Sequence, residues 1–203
     1  MTASSQQSFV TTELDPGLLS TFFGVQTKWH AIIGAPCSGK TTLVRALADR
    51  GFRTVAESGR AYVLGELAKG RTADEIFGNG VTLQRGVLGL QLESERGLPV
   101  DQVAFLDGAS PSCLTYLRVM GLNPNVILAD CFHHRYASVF LLDRFPFEED
   151  GLRFEDDATA GFIGEWLARD YSALGYQVVR VPGLPLEERL TFVLEQLDKQ
   201  GLI

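Results

Sequence analysis

The residues best suited to chemistry form a glycine-bounded octapeptide, GAPCSGKT, at positions 34–41. It matches the phosphate-binding pattern G-x-x-x-x-G-K-[ST] at every fixed position. Gly34 and Gly39 allow the backbone to turn tightly and to approach phosphate oxygens with no Cβ in the way. Lys40 is expected to contact the β- and γ-phosphates, and the Thr41 hydroxyl to ligate Mg²⁺. The loop therefore predicts binding of a nucleoside triphosphate, ATP or GTP. The residues predicted to bind that nucleotide are Gly34, Ala35, Pro36, Cys37, Ser38, Gly39, Lys40, Thr41 and Thr42.

The segments on either side of the octapeptide support this interpretation. Residues 31–33 are a short apolar run typical of a strand, and a helical pattern with Leu43, Val44 and Leu47 on its apolar positions follows. The N–H groups of the loop and of the helix start together form an anion cradle. A chance glycine loop is the alternative, and the strand before it and the helix after it favour the nucleotide site.

A second chemical candidate ends a buried strand predicted at residues 100–107. The apolar run of residues 103–106 is followed by Asp107, which is the form of a Walker B segment. Apolar runs that end in an acid are common, so the phosphate loop upstream is what makes this one informative. We expect Asp107 to lie beside that loop and to hold Mg²⁺ together with Thr41.

Candidates for substrate contact follow the second predicted strand, residues 52–56. Glu57 and Arg60 come directly after it, and ligands of open α/β sheets bind outside the carboxyl ends of the strands. The alternative is an acid at a helix start, offset by a surface salt bridge. A helix predicted at residues 83–98 has a polar face, most of which is expected to contact solvent. From that face Gln84, Arg85 or Gln91 could reach the same pocket, and Gln91 is the one assigned to the substrate.

Arg144 and Arg153 stand at the two ends of an acidic, phenylalanine-rich loop before a helix predicted at residues 154–175. In a phosphotransferase such a loop can act as a lid, whose arginines stabilise charge on the transferring phosphoryl group and exclude water. The alternative is a surface loop with ordinary salt bridges. The phosphate loop upstream favours the lid.

The overall composition restricts the partners. The chain has 203 residues, 45% of them hydrophobic, and a formal net charge of -7, which disfavours general binding to nucleic acid or to an anionic membrane. The three cysteines show no paired or metal-type spacing. No run of eighteen apolar residues and no signal pattern is present, so the expected compartment is the cytoplasm. The oligomeric state stays open.

The order of the predicted elements indicates an α/β fold. Five predicted strands alternate with helices, which implies a three-layer P-loop NTPase domain whose parallel sheet is covered by helices on both faces. The acid-bearing strand is the third in the chain, which is compatible with a kinase-like order in which it neighbours the first. Residues 1–28 are predicted to be an N-terminal extension that packs on the domain formed by residues 29–203.

The chain resembles the family of small AAA-type P-loop domains related to the nicotinamide riboside kinase domain, over most of residues 29–197. The resemblance lies in five stretches whose order and spacing fit: IIGAPCSGKTTLVRALADRGF, VAESGRAYV, QVAFLDGASPSCLTYLR, RYASVFLLDRFPFEEDGLRFED and LGYQVVRVPGLPLEERLTFVL. It implies a kinase-like P-loop fold, Mg-nucleotide binding and, in characterised relatives, phosphoryl transfer to a small metabolite. Some relatives are instead nucleotide-binding switches.

The resemblance also assigns positions. Lys40 and Thr41 match the phosphate and Mg²⁺ contacts, and Asp107 matches the Walker B-like acid. The residues after the second strand and in the lid region are matched by Glu57, Arg60, Arg144 and Arg153. Relatives often carry Asp-Arg where this chain has Asp107 and Gly108. The missing guanidinium removes a possible contact to phosphate or to the acceptor. It therefore affects both which acceptor binds and whether the protein catalyses the transfer.

Two functions from different classes follow as hypotheses. The first is an ATP- or GTP-dependent kinase acting on a small hydroxylated metabolite, for which a nucleoside-like acceptor is one candidate. The second is a nucleotide-binding regulatory module with slow hydrolysis and no acceptor; a plain hydrolase is a weaker third, because no water-positioning residue stands out. The residues predicted to take part in catalysis are Lys40, Glu57, Asp107, Arg144 and Arg153.

Overall fold

The computed structural model describes residues 8–144 and 157–202. In chain order the strands are β1 (Val25–Gln26), β2 (Trp29–Ile33), β3 (Arg53–Val55), β4 (Ala104–Asp107), β5 (His134–Arg135), β6 (Ser138–Leu142) and β7 (Val178–Val181). The α-helices are α1 (Pro16–Leu19), α2 (Lys40–Asp49), α3 (Ser58–Ala68), α4 (Ala73–Phe77), α5 (Gly80–Arg96), α6 (Ser112–Val119), α7 (Asp157–Ala173) and α8 (Leu186–Lys199). Two short 3-10 helices, Pro124–Val126 and Leu128–Phe132, precede β5.

The main sheet has the strand order β3-β4-β2-β6-β7, and every neighbouring pair is parallel. The third of these strands along the chain, β4, thus lies beside the first, β2, as the kinase-like order requires. Every residue of β2 and of β6 is buried, which is the pattern of strands that are covered on both faces. The predicted five-stranded parallel sheet is confirmed.

Helices cover both faces of this sheet and form the other two layers. On one face, Leu43 and Leu47 of α2 pack with Leu190 and Val193 of α8. On the opposite face, α5, α6 and α7 pack through a larger apolar cluster that includes Leu114. Successive residues of a strand alternate between the two clusters, because side chains of a strand point to opposite faces. The phosphate loop and the first helix after it are therefore part of a three-layer scaffold.

Residues 8–28 lie against the α6–α7 side of the molecule. The ring of Phe9 stacks on Phe162 of α7 with centroids 4.3 Å apart, and the Val10 N–H donates to the Arg118 carbonyl at 3.0 Å. Strand β1 pairs in parallel with β5 to form a separate two-stranded sheet. The predicted extension over residues 1–28 stays a prediction as to its extent, and residues 1–7 lie outside the described part.

Several predicted elements differ from the observed ones. Asn123 and Pro124 predict the start of an α-helix, but the two 3-10 helices form there instead. The helix predicted at residues 83–98 begins earlier, at Gly80, because the Asn79 side chain caps it by accepting from Thr82 N–H at 3.0 Å. Strands β1 and β5 were not predicted, since two residues carry no periodicity. None of the helices in the described part is both long and apolar enough to cross a membrane.

Candidate active site

The phosphate loop connects β2 to α2 at the carboxyl edge of the sheet. Gly34 leaves no space for a side chain: a Cβ there would lie 2.6 Å from Ser38 Oγ and 3.0 Å from the Leu142 carbonyl oxygen. Cys37, at φ 59°, and Gly39, at φ 85°, both adopt the left-handed conformation. Left-handed residues in a loop turn successive N–H groups toward a common centre, which favours anion binding.

The loop residues divide into those that face the adjoining cavity and those that support them. Gly34, Pro36 and Lys40 line the cavity, whereas Ala35 and Ser38 are buried behind it. The Lys40 ammonium donates to the carbonyls of Gly34 at 2.9 Å and Ala35 at 3.0 Å. These bonds keep the ammonium over the loop, where the β- and γ-phosphates of a nucleotide are expected. The side chains of Cys37 and Thr42 are exposed.

Asp107 and Thr41 meet beside the loop, as predicted from the strand order. Asp107 ends β4 in register with Ile32 of β2. The Thr41 hydroxyl donates to Asp107 Oδ2 at 2.6 Å, and within the described residues the buried Oδ1 atom has no hydrogen-bond partner. A buried carboxylate oxygen without a donor, next to a hydroxyl, suits a hard divalent cation with oxygen ligands. The residues present therefore fit Mg²⁺.

A cavity of about 350 Å³ extends from the phosphate loop between the helices α3, α5, α6 and α7. Its walls beyond the loop are mostly apolar, and they include Val63, Leu83, Tyr116, Met120 and Ile163. Concave sites of this size with a few convergent polar groups are typical of small-molecule binding. The part of the cavity beyond the phosphate loop, here called the chamber, is continuous with the part that the loop lines.

The polar part of the chamber wall is organised by a buried carboxylate. Ser58 donates to Gln91 Oε1 at 2.7 Å, and Gln91 Nε2 donates to Glu95 Oε1 at 2.9 Å. The Tyr136 hydroxyl also donates to Glu95 Oε1 at 2.7 Å, and His134 Nδ1 lies 2.7 Å from Glu95 Oε2. Glu95 itself is 1% exposed. Ser58 and Gln91 line the cavity, so Glu95 supports the wall from behind.

These hydrogen bonds determine whether the polar wall offers donors or acceptors to the cavity. A carboxylate only accepts hydrogen bonds, so Gln91 must turn its amide nitrogen toward Glu95 and its oxygen toward Ser58. The Ser58 proton is thereby committed to Gln91, which leaves lone pairs of Ser58 Oγ for the cavity. A ligand contacting Ser58 is best matched by a hydroxyl or an N–H group that donates.

Some of the predicted substrate and catalytic residues line the cavity, and others do not. Glu57 and Gln91 line the cavity. Arg60 is exposed and is not part of the described cavity wall. Arg144 also lies outside that wall, where its Nη1 pairs with Asp157 Oδ1 at 2.6 Å. Arg153 lies outside the described residues, so the predicted lid stays a prediction.

Two buried residues of this region were not predicted from the sequence. From the sequence, Glu95 belongs to the polar face of its helix and is expected to contact solvent, since nothing local distinguishes it from the exposed Glu93. Arg189, in the first turns of α8, is 2% exposed and donates to the Ser38 carbonyl of the phosphate loop. Both act over long sequence distances, and no local pattern distinguishes them from surface charges.

Several solved structures share this fold. NadR in complex with NR aligns with a TM-score of 0.61 at 19% identity, over 85% of this chain and 50% of that one. Deoxyadenosine kinase from M. mycoides, with dCMP and dCDP bound, aligns with a TM-score of 0.59 at 12% identity, over 84% and 98% of the chains. Thymidylate kinase from Candida albicans aligns with a TM-score of 0.54 at 14% identity, over 87% of this chain and 93% of that one. At such identities the likeness concerns the fold.

The fold is therefore that of the P-loop kinases, and this chain spans half the length of the NadR chain. No curated protein matched the sequence. A family model described as an AAA domain matches residues 29–189, which include the phosphate loop and Asp107. The resemblance seen in the sequence is confirmed: the chain belongs to this AAA domain family of P-loop proteins.

Proposed function

We propose that the protein is a Mg²⁺-dependent phosphotransferase that moves the γ-phosphoryl group of ATP or GTP to a hydroxyl group of a small metabolite. The observation that carries this proposal is the continuity of the cavity, which runs from Lys40 past Asp107 to Glu57 and the apolar helices. A nucleotide on the loop would share one continuous cavity with its acceptor. The nucleoside and small-molecule kinases of similar fold support the same class of reaction.

The reaction needs little covalent help from the protein. The acceptor oxygen attacks the γ-phosphorus, the bond from that phosphorus to the nucleoside diphosphate breaks, and the acceptor proton passes to a carboxylate. Glu57, at the cavity wall, is proposed to orient the hydroxyl and take this proton, with Asp107 as the alternative. Lys40 would stabilise the charge on the phosphoryl oxygens. Thr41 and Asp107 would hold Mg²⁺, whose chemistry is to neutralise charge on the β- and γ-phosphates.

The two lid arginines are proposed to add positive charge near the phosphoryl group. Arg144 is engaged with Asp157 in an ion pair, so this role requires it to exchange that partner for a phosphate oxygen. Both members of the pair are at least partly solvent-exposed, and exposed ion pairs contribute at most about 1 kcal/mol. Such an exchange is therefore energetically accessible.

The charges of the chamber favour an acceptor without an anionic group. Among the described residues, the charged side chains that line it are Lys40, Glu57 and Asp107, and Lys40 is assigned to the nucleotide. A phosphate or carboxylate on the acceptor would be desolvated beside two carboxylates, without a cation of its own. The apolar walls suit a ring system. A nucleoside-like compound therefore fits better than a nucleoside monophosphate.

The test is consumption of Mg-ATP and Mg-GTP by the purified protein with defined acceptors. The probes are deoxyadenosine and nicotinamide riboside, which carry no anionic group, dTMP and shikimate, which do, and a pooled metabolite extract. We expect stimulation by a nucleoside or by the extract but not by the anionic probes. Lys40→Ala should lower the stimulated turnover by about 100-fold or more.

The matched control is Lys28→Ala, which removes an exposed lysine before β2 and should leave turnover unchanged. Both variants should keep the circular dichroism spectrum and the melting temperature of the native protein. Full turnover by the Lys40→Ala protein would contradict the mechanism. Stimulation by dTMP or shikimate would contradict the proposed acceptor class while leaving phosphoryl transfer in place.

A nucleotide-binding regulatory module is the second candidate, and Gly108 favours it. Gly108 lines the cavity at φ 87°, a conformation that an arginine would adopt only under strain. The backbone after Asp107 is thus built for glycine at the position where relatives often carry a guanidinium. Tight binding of Mg-ATP without stimulation by any probe or by the extract would support this candidate.

A further inference from the structure

A buried arginine connects the last helix to the phosphate loop. Arg189 of α8 donates from Nη1 to the Ser38 carbonyl at 2.5 Å and from Nη2 to the Asp143 carbonyl at 2.7 Å. Ser38 lies in the middle of the loop, and Asp143 follows the end of β6. The guanidinium therefore connects two backbone segments that are 105 residues apart in the sequence and adjacent in space.

Packing alone does not account for a guanidinium at this position. Arg189 is 2% exposed, and burial lowers the pKa of its side chain because the charged form loses its hydration. An apolar side chain of similar volume would not carry that penalty. The groups that it contacts include two backbone carbonyls, which this charge can orient.

The contacted carbonyl belongs to a peptide unit of the phosphate cradle. The Ser38 carbonyl and the Gly39 N–H are the two ends of the same planar peptide group. For the N–H to point at a phosphate, the carbonyl must point away from it, and a buried carbonyl needs a donor there. A donor that is positively charged also polarises the peptide group and strengthens its N–H as a hydrogen-bond donor.

We propose that Arg189 is a positioning residue of the nucleotide site, which orients and polarises the Ser38–Gly39 peptide group so that the Gly39 N–H binds phosphate. Its second bond, to the Asp143 carbonyl, fixes the loop against the end of β6. This inference rests on the nucleotide-binding part of the proposed function and is independent of the acceptor. Arg189 does not contact the reacting atoms and acts through the loop backbone.

The test compares three variants of the full-length protein. Arg189→Met keeps an unbranched side chain but removes both donors, and Arg189→Lys keeps the charge with a single point donor in place of the planar fork. The matched control is Arg50→Met, which removes the exposed ion pair between Arg50 of the α2 terminus and Glu187 of α8, 2.8 Å apart. This pair links α8 at the surface to the C-terminal end of α2, the helix that follows the phosphate loop.

Two readouts are measured at a temperature at which circular dichroism shows every variant to be folded. The first is the Kd for Mg-ATP, and the second is the alkylation rate of the exposed Cys37 thiol without nucleotide. We expect Arg189→Met to raise Kd by about tenfold or more and to change the alkylation rate, since loss of a charged hydrogen bond releases the loop. Arg189→Lys should lie between the Met variant and the native protein, and Arg50→Met should match the native protein.

Native affinity for Mg-ATP in Arg189→Met excludes a role for this residue in the nucleotide site. If that variant does not fold, native affinity in Arg189→Lys excludes it, because an ammonium cannot reproduce the two-pronged contact. If the native protein itself fails to bind Mg-ATP, the proposed function is wrong, and an unchanged Cys37 alkylation rate in Arg189→Met then overturns the positioning role separately.

Discussion

Neighbouring residues of the phosphate loop differ in exposure, and the buried ones hold the loop in place. Cys37 and Thr42 face solvent, while the neighbouring Ser38 is fully buried and its carbonyl is held by Arg189. The hydroxyl of Thr41 is directed to Asp107 by a hydrogen bond of 2.6 Å. Chemical modification can therefore report on the loop, because the exposed Cys37 thiol belongs to it.

Bound Mg-ATP should protect Cys37 from alkylation. Cys113 and Cys131 should stay unreactive in the folded protein, since burial raises the pKa of the Cys113 thiol to about 12 and that of Cys131 well above its usual range. At a nucleotide concentration of ten times Kd the unoccupied fraction, and with it the Cys37 rate, should fall about tenfold. Mass spectrometry of peptides after maleimide treatment measures each rate. Equal rates with and without Mg-ATP would argue against nucleotide on this loop.

His30 should make the stability of the protein depend on pH. It lies fully buried in β2 with Nδ1 2.6 Å from Ser138 Oγ, and burial lowers the pKa of its ring from 6.5 to about 4. As the pH falls below 6.5 the unfolded chain binds a proton that the folded chain does not. The stability that His30 contributes is therefore complete above about pH 6.5 and is lost between there and pH 4.

The expected size of this loss is roughly 3 kcal/mol, from a pKa difference of about 2.5 units. Urea denaturation of the native protein and of His30→Gln between pH 4 and 7.5 measures it. The native protein should show a steeper loss of unfolding free energy toward low pH than the variant, because carboxylates act equally in both. Parallel pH profiles would show that His30 is not the group responsible.

At the scale of elements, the Glu95 carboxylate joins parts of the fold that are far apart in sequence. It accepts from Gln91 on its own helix, from Ser110 after β4 at 3.3 Å and from Tyr136 before β6, and it contacts His134 of β5. These bonds hold the two-stranded sheet, the end of β4 and the chamber wall in one arrangement. The wall can therefore present a defined polarity to an acceptor.

Glu95→Gln should destabilise the protein although the two side chains have the same shape. The variant directs an amide nitrogen at groups that already donate, which leaves a buried donor without an acceptor. The expected loss of unfolding free energy is about 1–3 kcal/mol, measured by urea denaturation. Glu93→Gln, on an exposed position of the same helix, is the control and should change the unfolding free energy by less than about 0.5 kcal/mol.

At the scale of the whole molecule, a buried ion pair connects the N-terminal segment to the helical layer. Arg118 Nη2 of α6 lies 2.8 Å from Asp170 Oδ1 of α7, and both side chains are at most 1% exposed. Arg118 Nη1 also donates to the carbonyl of Thr12 at 2.5 Å. Three segments thus depend on a single guanidinium, and removal of its counter-charge affects all of them.

Asp170→Asn should lower the unfolding free energy by about 3–5 kcal/mol, because it leaves the buried Arg118 charge without its partner. Glu165→Gln removes the exposed i,i+4 pair with Arg169 on the same helix and should cost less than about 0.5 kcal/mol. Chemical denaturation measures both, and limited proteolysis reports whether residues 8–15 become accessible. An Asp170→Asn protein as stable as the control would contradict the structural role of this pair.

Local patterns and the rules of parallel sheets account for what could be predicted. The phosphate loop is contiguous, so its spacing identifies it without tertiary information. The contact of Asp107 with Thr41 could also be anticipated, because a kinase-like strand order brings the end of β4 next to β2. The 3-10 helices after Asn123 could not be anticipated, because a proline after an N-cap residue can start either an α-helix or a 3-10 helix.

The sequence by itself determined the family and the identity of the phosphate loop, because both depend on residue types at short spacing. It was compatible with the kinase-like strand order, which the tertiary structure then established. Only the tertiary structure decided that Glu57 and Gln91 face the cavity while Arg60 does not, and that Glu95 and Arg189 are buried. Burial and hydrogen-bond partners of a charged side chain depend on elements that are distant in the chain. No periodicity around Arg189 distinguishes a guanidinium that holds Ser38 from one that contacts water.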